Sequence, residues 1–302
     1  MDIKKGIMFA LLAALISGVS VFVNASAVKL ADPFAYTVIK NLGSLVFIVS
    51  SVFLIKERKS VILLPTSQIF SLILIGIIGG SIPFVMFFYG LSLGGASVSS
   101  FIYRSLFIFA AVFGYLLLKE KPSSNDLIAG FAILLGNALL ISGSLSFGIG
   151  QLLVLGATIL WALEYTISRK VMTDVSPKIV MLFRMFFGSI ILVPFLLLTN
   201  SSSISSISIP VLGWLVITSL LLFGFMHFWY NSLKNLPVLK AAIILSLGGL
   251  ISASLDILFA HKNFSFYEAL GLLLTLGGVI FSISLSNLVS LLRTIINAKS
   301  SE

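Results

Sequence analysis

Apolar residues run through this chain in stretches of roughly 19–25, apolar on every side and separated by short polar breaks. A helix needs about 20 such residues to cross a hydrocarbon layer of ~30 Å. Ten stretches are legible, near residues 6–28, 33–54, 68–91, 96–118, 125–143, 148–170, 177–198, 210–233, 238–260 and 266–290. The period-two alternation of a membrane strand is missing from them, which predicts an all-α integral membrane protein with ten transmembrane helices. The connections are short. The longest are KERKSVILLPTSQ after the second stretch and the serine-rich TNSSSISSISIP after the seventh.

Composition supports the pattern. Of 302 residues, 59% are hydrophobic and 10% charged, with a mean hydropathy of +1.17. Soluble domains carry about 25% charged residues, so lipid is the expected solvent and partner for most of this surface. There is no cysteine, which removes disulfides, thiol nucleophiles and cysteine metal sites. The net charge of +9 comes without a basic cluster of nucleic-acid-binding size, and no nucleic-acid partner is expected.

Topology explains that charge. With the N-terminus inside, Lys4, Lys5, Lys56, Arg58, Lys59, Lys119, Lys121, Arg169, Lys170, Lys178, Lys234, Lys240, Arg293 and Lys299 fall on the cytoplasmic side. Lys29 and Lys262 alone fall outside, and Lys40, Arg104 and Arg184 lie within stretches. The positive-inside rule then predicts cytoplasmic N- and C-termini in a plasma (inner) membrane. The first segment, with two lysines and an ASA triplet, has some character of a signal peptide, but its apolar part is long for one and recurs internally as a full span.

The recurrence is the most informative feature. A slide of 144 places Gly6 on Gly150, Pro33 on Pro177 and Lys40 on Arg184. From about residue 84 the offset becomes 141, which places Tyr89 on Tyr230, Ser105 on Ser246, Lys121 on Lys262, Gly130 on Gly271 and Gly136 on Gly277. Two five-helix repeats are expected, over 1–145 and 146–292, with a cytoplasmic tail at 293–302. Five is odd, so the second repeat enters the membrane inverted. Inverted repeats characterise secondary transporters, with the substrate near the midplane between the halves.

Three motifs carry a resemblance. A cation follows the proline that opens the second helix of each repeat, in DPFAYTVIK and SPKIVMLFR. Glu120 follows the fourth stretch and Gly130 opens the fifth in LLLKEKPSSNDLIAGFAILLGNALLIS, and the chain closes with LFAHKNFSFYEALGLLLTLGGVIF. Over essentially its whole length the chain resembles the drug/metabolite transporter superfamily, specifically ten-helix EamA-type members. That resemblance implies export of small metabolites, often amino acids. The proline usual in the middle of the family's fourth helix is absent from both repeats, and His261 stands where the first repeat has Glu120.

Ionisable groups inside spans are candidate functional residues, because a charge at a helix centre costs roughly 2.5–3.5 kcal/mol on insertion scales. Lys40 and Arg184, repeat-equivalent, are expected to snorkel or pair structurally, with a substrate anion as the alternative. Arg104 has no cationic counterpart and shares the stripe Ser97, Ser100, Arg104, which suggests a cavity-facing anion receptor. Glu164 is too deep and short to snorkel. It either pairs with a cation such as Arg104 or Arg184, or faces water and exchanges a proton. Trp161 and Ser168 share its face. Asp256 is read as interfacial, pairing or gating; His227, Tyr230 and Asn231 share a face, and Ser17, Ser20 and Asn24 form a polar stripe. Trp161, Tyr103 and Tyr230 are candidates for stacking on a flat substrate, although aromatics also form interfacial belts.

No metal, nucleophile or P-loop motif appears, so neither an enzyme nor an ATP-driven pump is expected, and no cofactor. The expected function is alternating-access transport of small zwitterions by a monomer, or alternatively a homodimer, with Arg104 receiving a carboxylate and Glu164 near an ammonium. Two rivals remain open. One is a proton-coupled exporter of cationic drugs working through Glu164; the other is a carrier of phosphate-bearing metabolites using Arg104 and Lys40.

Overall fold

A helix surrounded by lipid satisfies every backbone amide internally, and helix is what these apolar runs form. The computed structural model describes residues 2–27, 30–54, 64–94, 96–139, 148–200, 202, 204, 207–260 and 265–283. Among them are thirteen α-helices and no strand: α1 (Ile3–Ala27), α2 (Pro33–Leu54), α3 (Thr66–Gly80), α4 (Ile82–Gly94), α5 (Ala96–Arg104), α6 (Leu106–Leu118), α7 (Ser124–Leu139), α8 (Ile149–Val171), α9 (Pro177–Asn200), α10 (Ile209–Asn235), α11 (Val238–Leu245), α12 (Leu247–Ala260) and α13 (Phe266–Ile283). Nine segments are long and apolar enough to cross a membrane, and α7 is a shorter tenth. The protein is a multi-pass membrane protein. The loop 55–63, the segment 140–147 and the tail 293–302 lie outside the described residues.

Three crossings expected as single helices are each broken into two, and the breaks have local causes. α3 ends at Gly80 because Pro83 has no amide to donate back to Gly79, and the chain turns at Ser81 before α4 begins. α5 and α6 meet at Ser105, and α11 and α12 at Ser246. Each of these serines donates its hydroxyl to a carbonyl three residues back, Ile102 and Ile243 respectively, at 2.6 Å. Such back-bonding competes with the helical ladder and bends it. The two breaks are the repeat-aligned pair Ser105 and Ser246. They occupy the middle of the fourth and ninth crossings.

The packing repeats with the sequence. α1 packs on α10 and on the broken ninth crossing, while α8, its repeat counterpart, packs on the broken third and fourth crossings. α2 crosses α9, and α7 crosses α13, each against its own counterpart. α3 also packs on α9, and this crossing and that of α7 with α13 are close because small residues line them, a main source of helix association in lipid. A Cβ on Gly188 would stand within 2.8 Å of three Gly80 backbone atoms, and one on Gly271 2.5 Å from the Gly136 carbonyl oxygen. Gly277, on the outer side of α13, has nothing within 4 Å of that position.

Gly188→Val should therefore destabilise the protein by about 1–3 kcal/mol or more, because backbone cannot yield as a side chain does. Gly277→Ala should stabilise it by about 0.5–1 kcal/mol through helix propensity alone. Melting temperatures in detergent, followed by size-exclusion fluorescence, will separate the two directions.

Candidate functional site

The centre of the bundle is built on an orphaned carbonyl. With Pro83 four residues on, the Gly79 oxygen has no helical donor. It instead accepts from the Trp161 indole Nε1 at 3.1 Å and from Arg184 Nη2 at 3.0 Å. Gly79 lacks a side chain because the space is taken: a Cβ there would come within 3 Å of the Glu164 carboxyl group. Three helices, α3, α8 and α9, thus converge on one backbone oxygen.

Glu164, fully buried on α8, faces Arg184 on α9, which is 5% exposed. Their Oε2 and Nε atoms stand 3.4 Å apart in an ion pair. Oε1 accepts from Ser168 Oγ at 2.6 Å and from the Tyr230 hydroxyl of α10 at 2.7 Å. Arg184 Nη1 lies 3.8 Å from Met185 Sδ and 3.9 Å from Met226 Sδ, and its guanidinium is 6.0 Å from the Phe84 ring centre. Arg184 does not snorkel to an interface, the first of its two expected structural roles; it takes the second and pairs across the bundle. The charges are paired because an isolated charge in this interior would be far costlier.

Above the pair sits a cluster of rings. Trp161 meets Phe84, Phe87 and Tyr103 at centroid distances of 5.3, 5.6 and 5.4 Å, mostly edge to face, and Tyr103 remains 38% exposed. The next residue, Arg104, points elsewhere: its guanidinium lies beside Gly249 on α12, about 3.7 Å from where a Cβ would be. Arg104 is half-buried and has no hydrogen bond or ion pair among the described residues.

Of the residues singled out from the sequence, Glu164, Trp161, Arg184 and Tyr230 come together around Gly79, and Tyr103 joins through Trp161. The others do not. His227 is half-buried against Phe223 and Phe228. Asn24 turns back on its own helix, donating to the Ser20 carbonyl at 2.7 Å and hydroxyl at 3.0 Å. Lys40 and Asp256 make no ion pair among the described residues, and the Ser100 side chain lies outside them.

One group escaped the sequence reading. At the membrane face that bears Asp2, Glu120 pairs with Arg169 Nε and accepts from the Val238 amide at 2.9 Å. Arg169 also donates to the Leu233 carbonyl. Nearby, Asp126 accepts from Ser282 Oγ at 2.6 Å and stands 3.4 Å from Lys240 Nζ, which donates to the Ser282 carbonyl at 3.0 Å. Glu120 is aimed inward by Lys119, whose left-handed conformation (φ 59°) closes α6 and lets the Glu120 amide bond to Gly114. These contacts join α6 and α7 to α8, α10, α11 and α13, and so tie the two halves together on that face. The signal was present: two acids at span ends opposite cations that counting had assigned wholly to topology.

The site is thus a charged pair buried within the second half and tied to a backbone carbonyl of the first, in a bundle with three broken crossings. The EamA-like transporter family model matches residues 4–142 and again 148–284. The chain belongs to the EamA-like transporter family and is a membrane transporter. It is 24% identical over 316 residues to an uncharacterized transporter of Clostridium kluyveri, covering 99% of both chains. It is 22% identical over 289 residues to another from Archaeoglobus fulgidus, covering 92% of this chain and 97% of that one. A solved crystal structure shares the fold with a TM-score of 0.78, at 15% identity over 92% of this chain and 96% of its own.

Two predictions follow from this geometry. Glu164→Gln should cost about 3–5 kcal/mol, because it leaves Arg184 buried without a counter-charge, whereas Glu164→Leu combined with Arg184→Met should recover most of that loss. Melting curves of the three proteins decide it. Glu120→Ala should loosen the Asp2-bearing face. Since the chain has no cysteine, Ala110→Cys, buried behind the ion pairs, reports this opening. Its labelling by an impermeant maleimide should accelerate about tenfold or more, equivalent to a shift of roughly 1.4 kcal/mol.

Proposed function

We propose that this protein is a secondary transporter that exports small zwitterionic organic metabolites, such as amino acids, across the plasma membrane by alternating access. The N- and C-termini are cytoplasmic in this reading, so the ion-paired face is the inner one. The observation that carries it is the contrast between two in-membrane arginines. Arg184 is neutralised by Glu164, whereas Arg104 is half-buried, beside Gly249 and one residue from the Tyr103–Trp161 ring cluster, with no partner among the described residues. An unneutralised guanidinium at membrane depth calls for an anionic group, and a carboxylate fits its fork of donors.

Closure by side chains suits a cycle of this kind. The contacts of Glu120, Arg169, Asp126 and Lys240 bridge the two halves and must part for the inner face to open. A second reading, proton-coupled export of cationic amines through Glu164, has one observation in its favour. Glu164 Oε2 and Arg184 Nε, though ion-paired, make no conventional hydrogen bond, so the pair is looser than a bidentate one.

Counterflow of labelled amino acids into preloaded liposomes tests the proposal. Exchange is expected without a pH gradient and should fall roughly tenfold or more in Arg104→Ala, the loss of one charged hydrogen-bonding partner. Absence of exchange for every amino acid, together with amine uptake driven by a pH gradient and abolished in Glu164→Gln, would transfer the function to the second reading.

A further inference from the structure

The repeat supplies a comparison that the buried ion pair alone does not. Glu164 lies seven residues before the end of α8 at Val171, and Arg184 seven after the start of α9 at Pro177. In the first half, Ser20 lies seven before the end of α1 at Ala27, and Lys40 seven after the start of α2 at Pro33. The slide of 144 that places Lys40 on Arg184 also places Ser20 on Glu164, Asn24 on Ser168 and Ser17 on Trp161. Local bonding agrees: Ser168 donates to Glu164 one turn back, and Asn24 donates to Ser20 one turn back. By position along their helices the two pairs are equivalents in the inverted copies, at about 10 Å from opposite faces, given 1.5 Å per residue.

Their chemistry differs in one respect. The second copy contains cation and carboxylate; the first contains the cation and no acid. The Lys40 ammonium has no hydrogen bond or ion pair among the described residues, where its carbonyl accepts from Ser219 Oγ at 3.0 Å, and no described acid of that half of the membrane pairs with it. Asp32 caps α2 through the Ala35 amide at 2.8 Å, and Asp256 forms no ion pair with Lys40. Ser20 accepts from Asn24 and keeps its own proton to donate. Beside Lys40, Asn41 is 2% exposed with both side-chain amide atoms unpartnered; its counterpart is Met185, whose sulfur touches the Arg184 guanidinium. Replacement of Trp161 and Glu164 by two serines also leaves the first copy short of an indole and a carboxyl group.

We infer that Lys40 and Ser20 form a receptor for an anionic group of a soluble organic solute, a carboxylate or phosphate, which takes the position that Glu164 holds in the second half. Lys40 and Ser20 are both part-buried, unlike Glu164, and in this proposal the solute reaches them from the face opposite Asp2. This deepens the transport reading, on which it rests, by giving the substrate an anionic group met at the outer side. It is tested by binding alone, so that its failure leaves the transport assay standing.

Purified protein in nanodiscs of zwitterionic lipid would be melted with increasing succinate, phosphoserine or inorganic phosphate, and with neutral succinamide. At least one anion should raise the melting temperature saturably, and succinamide should not. Lys40→Gln should raise the midpoint concentration roughly tenfold or more, as loss of a charged hydrogen bond predicts. Ser20→Glu should install the missing carboxylate, raising the melting temperature without ligand and removing the response to anions. The inference is overturned if the anion response survives both substitutions. It is equally overturned if no anion acts on the parent protein while Ser20→Glu fails to stabilise it. Stabilisation by phosphatidylglycerol nanodiscs with no response to any solute would assign the site to a lipid headgroup and overturn it as well.

Discussion

The arrangement hangs on a missing amide. Because Pro83 cannot donate to Gly79, one carbonyl oxygen is left open in the middle of the membrane, where an unsatisfied polar group costs several kcal/mol. Trp161 and Arg184 both satisfy it. Drawing Arg184 inward places a full charge in the interior, which then requires Glu164, and Glu164 in turn requires Ser168 and Tyr230 to occupy its other oxygen. Each member answers a debt created by the one before. The result fixes four helices from both halves around a single point.

Much of the architecture was legible in the sequence because lipid imposes one strict rule, an apolar run long enough to cross, and inverted duplication shows itself as offset prolines and cations. The third, fourth and ninth spans fall where the hydropathy places them, but each is built from two helices. Hydropathy averages over a window and does not register where one backbone bond is exchanged for another, as at Ser81, Ser105 and Ser246. Site residues were legible by type rather than by partner. An acid and a base buried in the same bundle invite pairing, but Arg104 and Arg184 were equally available to Glu164 on paper. What decided between them was the Gly79 oxygen, a backbone group to which side-chain patterns are blind. The Glu120–Arg169 contact was hidden for another reason: a lysine in a left-handed conformation turns the chain there, and Lys119 carries no glycine or asparagine to announce it.

The inverted copies also show how a symmetric scaffold acquires two chemically different faces. Paired acids and bases close the Asp2-bearing face, through Glu120 and Asp126, while His261 occupies the position equivalent to Glu120 and Tyr267 the one equivalent to Asp126. Deep in the bundle the difference runs the same way, with an internal carboxylate in the second half and a serine in the first. Duplication provides two similar frames; divergence at a few polar positions gives each face its own energetics.

The two kinds of helix break differ in permanence. At the third crossing the interruption is covalent in origin, since a proline ring cannot regain a hydrogen. At Ser105 and Ser246 the amide is intact, and a hydroxyl merely occupies the carbonyl that an unbroken helix would offer to the next residue, Leu106 or Leu247. Straightening either crossing exchanges one hydrogen bond for another, a difference of about 1 kcal/mol. The fourth and ninth crossings are thus reversible joints, placed at matching depth in the two halves, whereas the third is a fixed elbow.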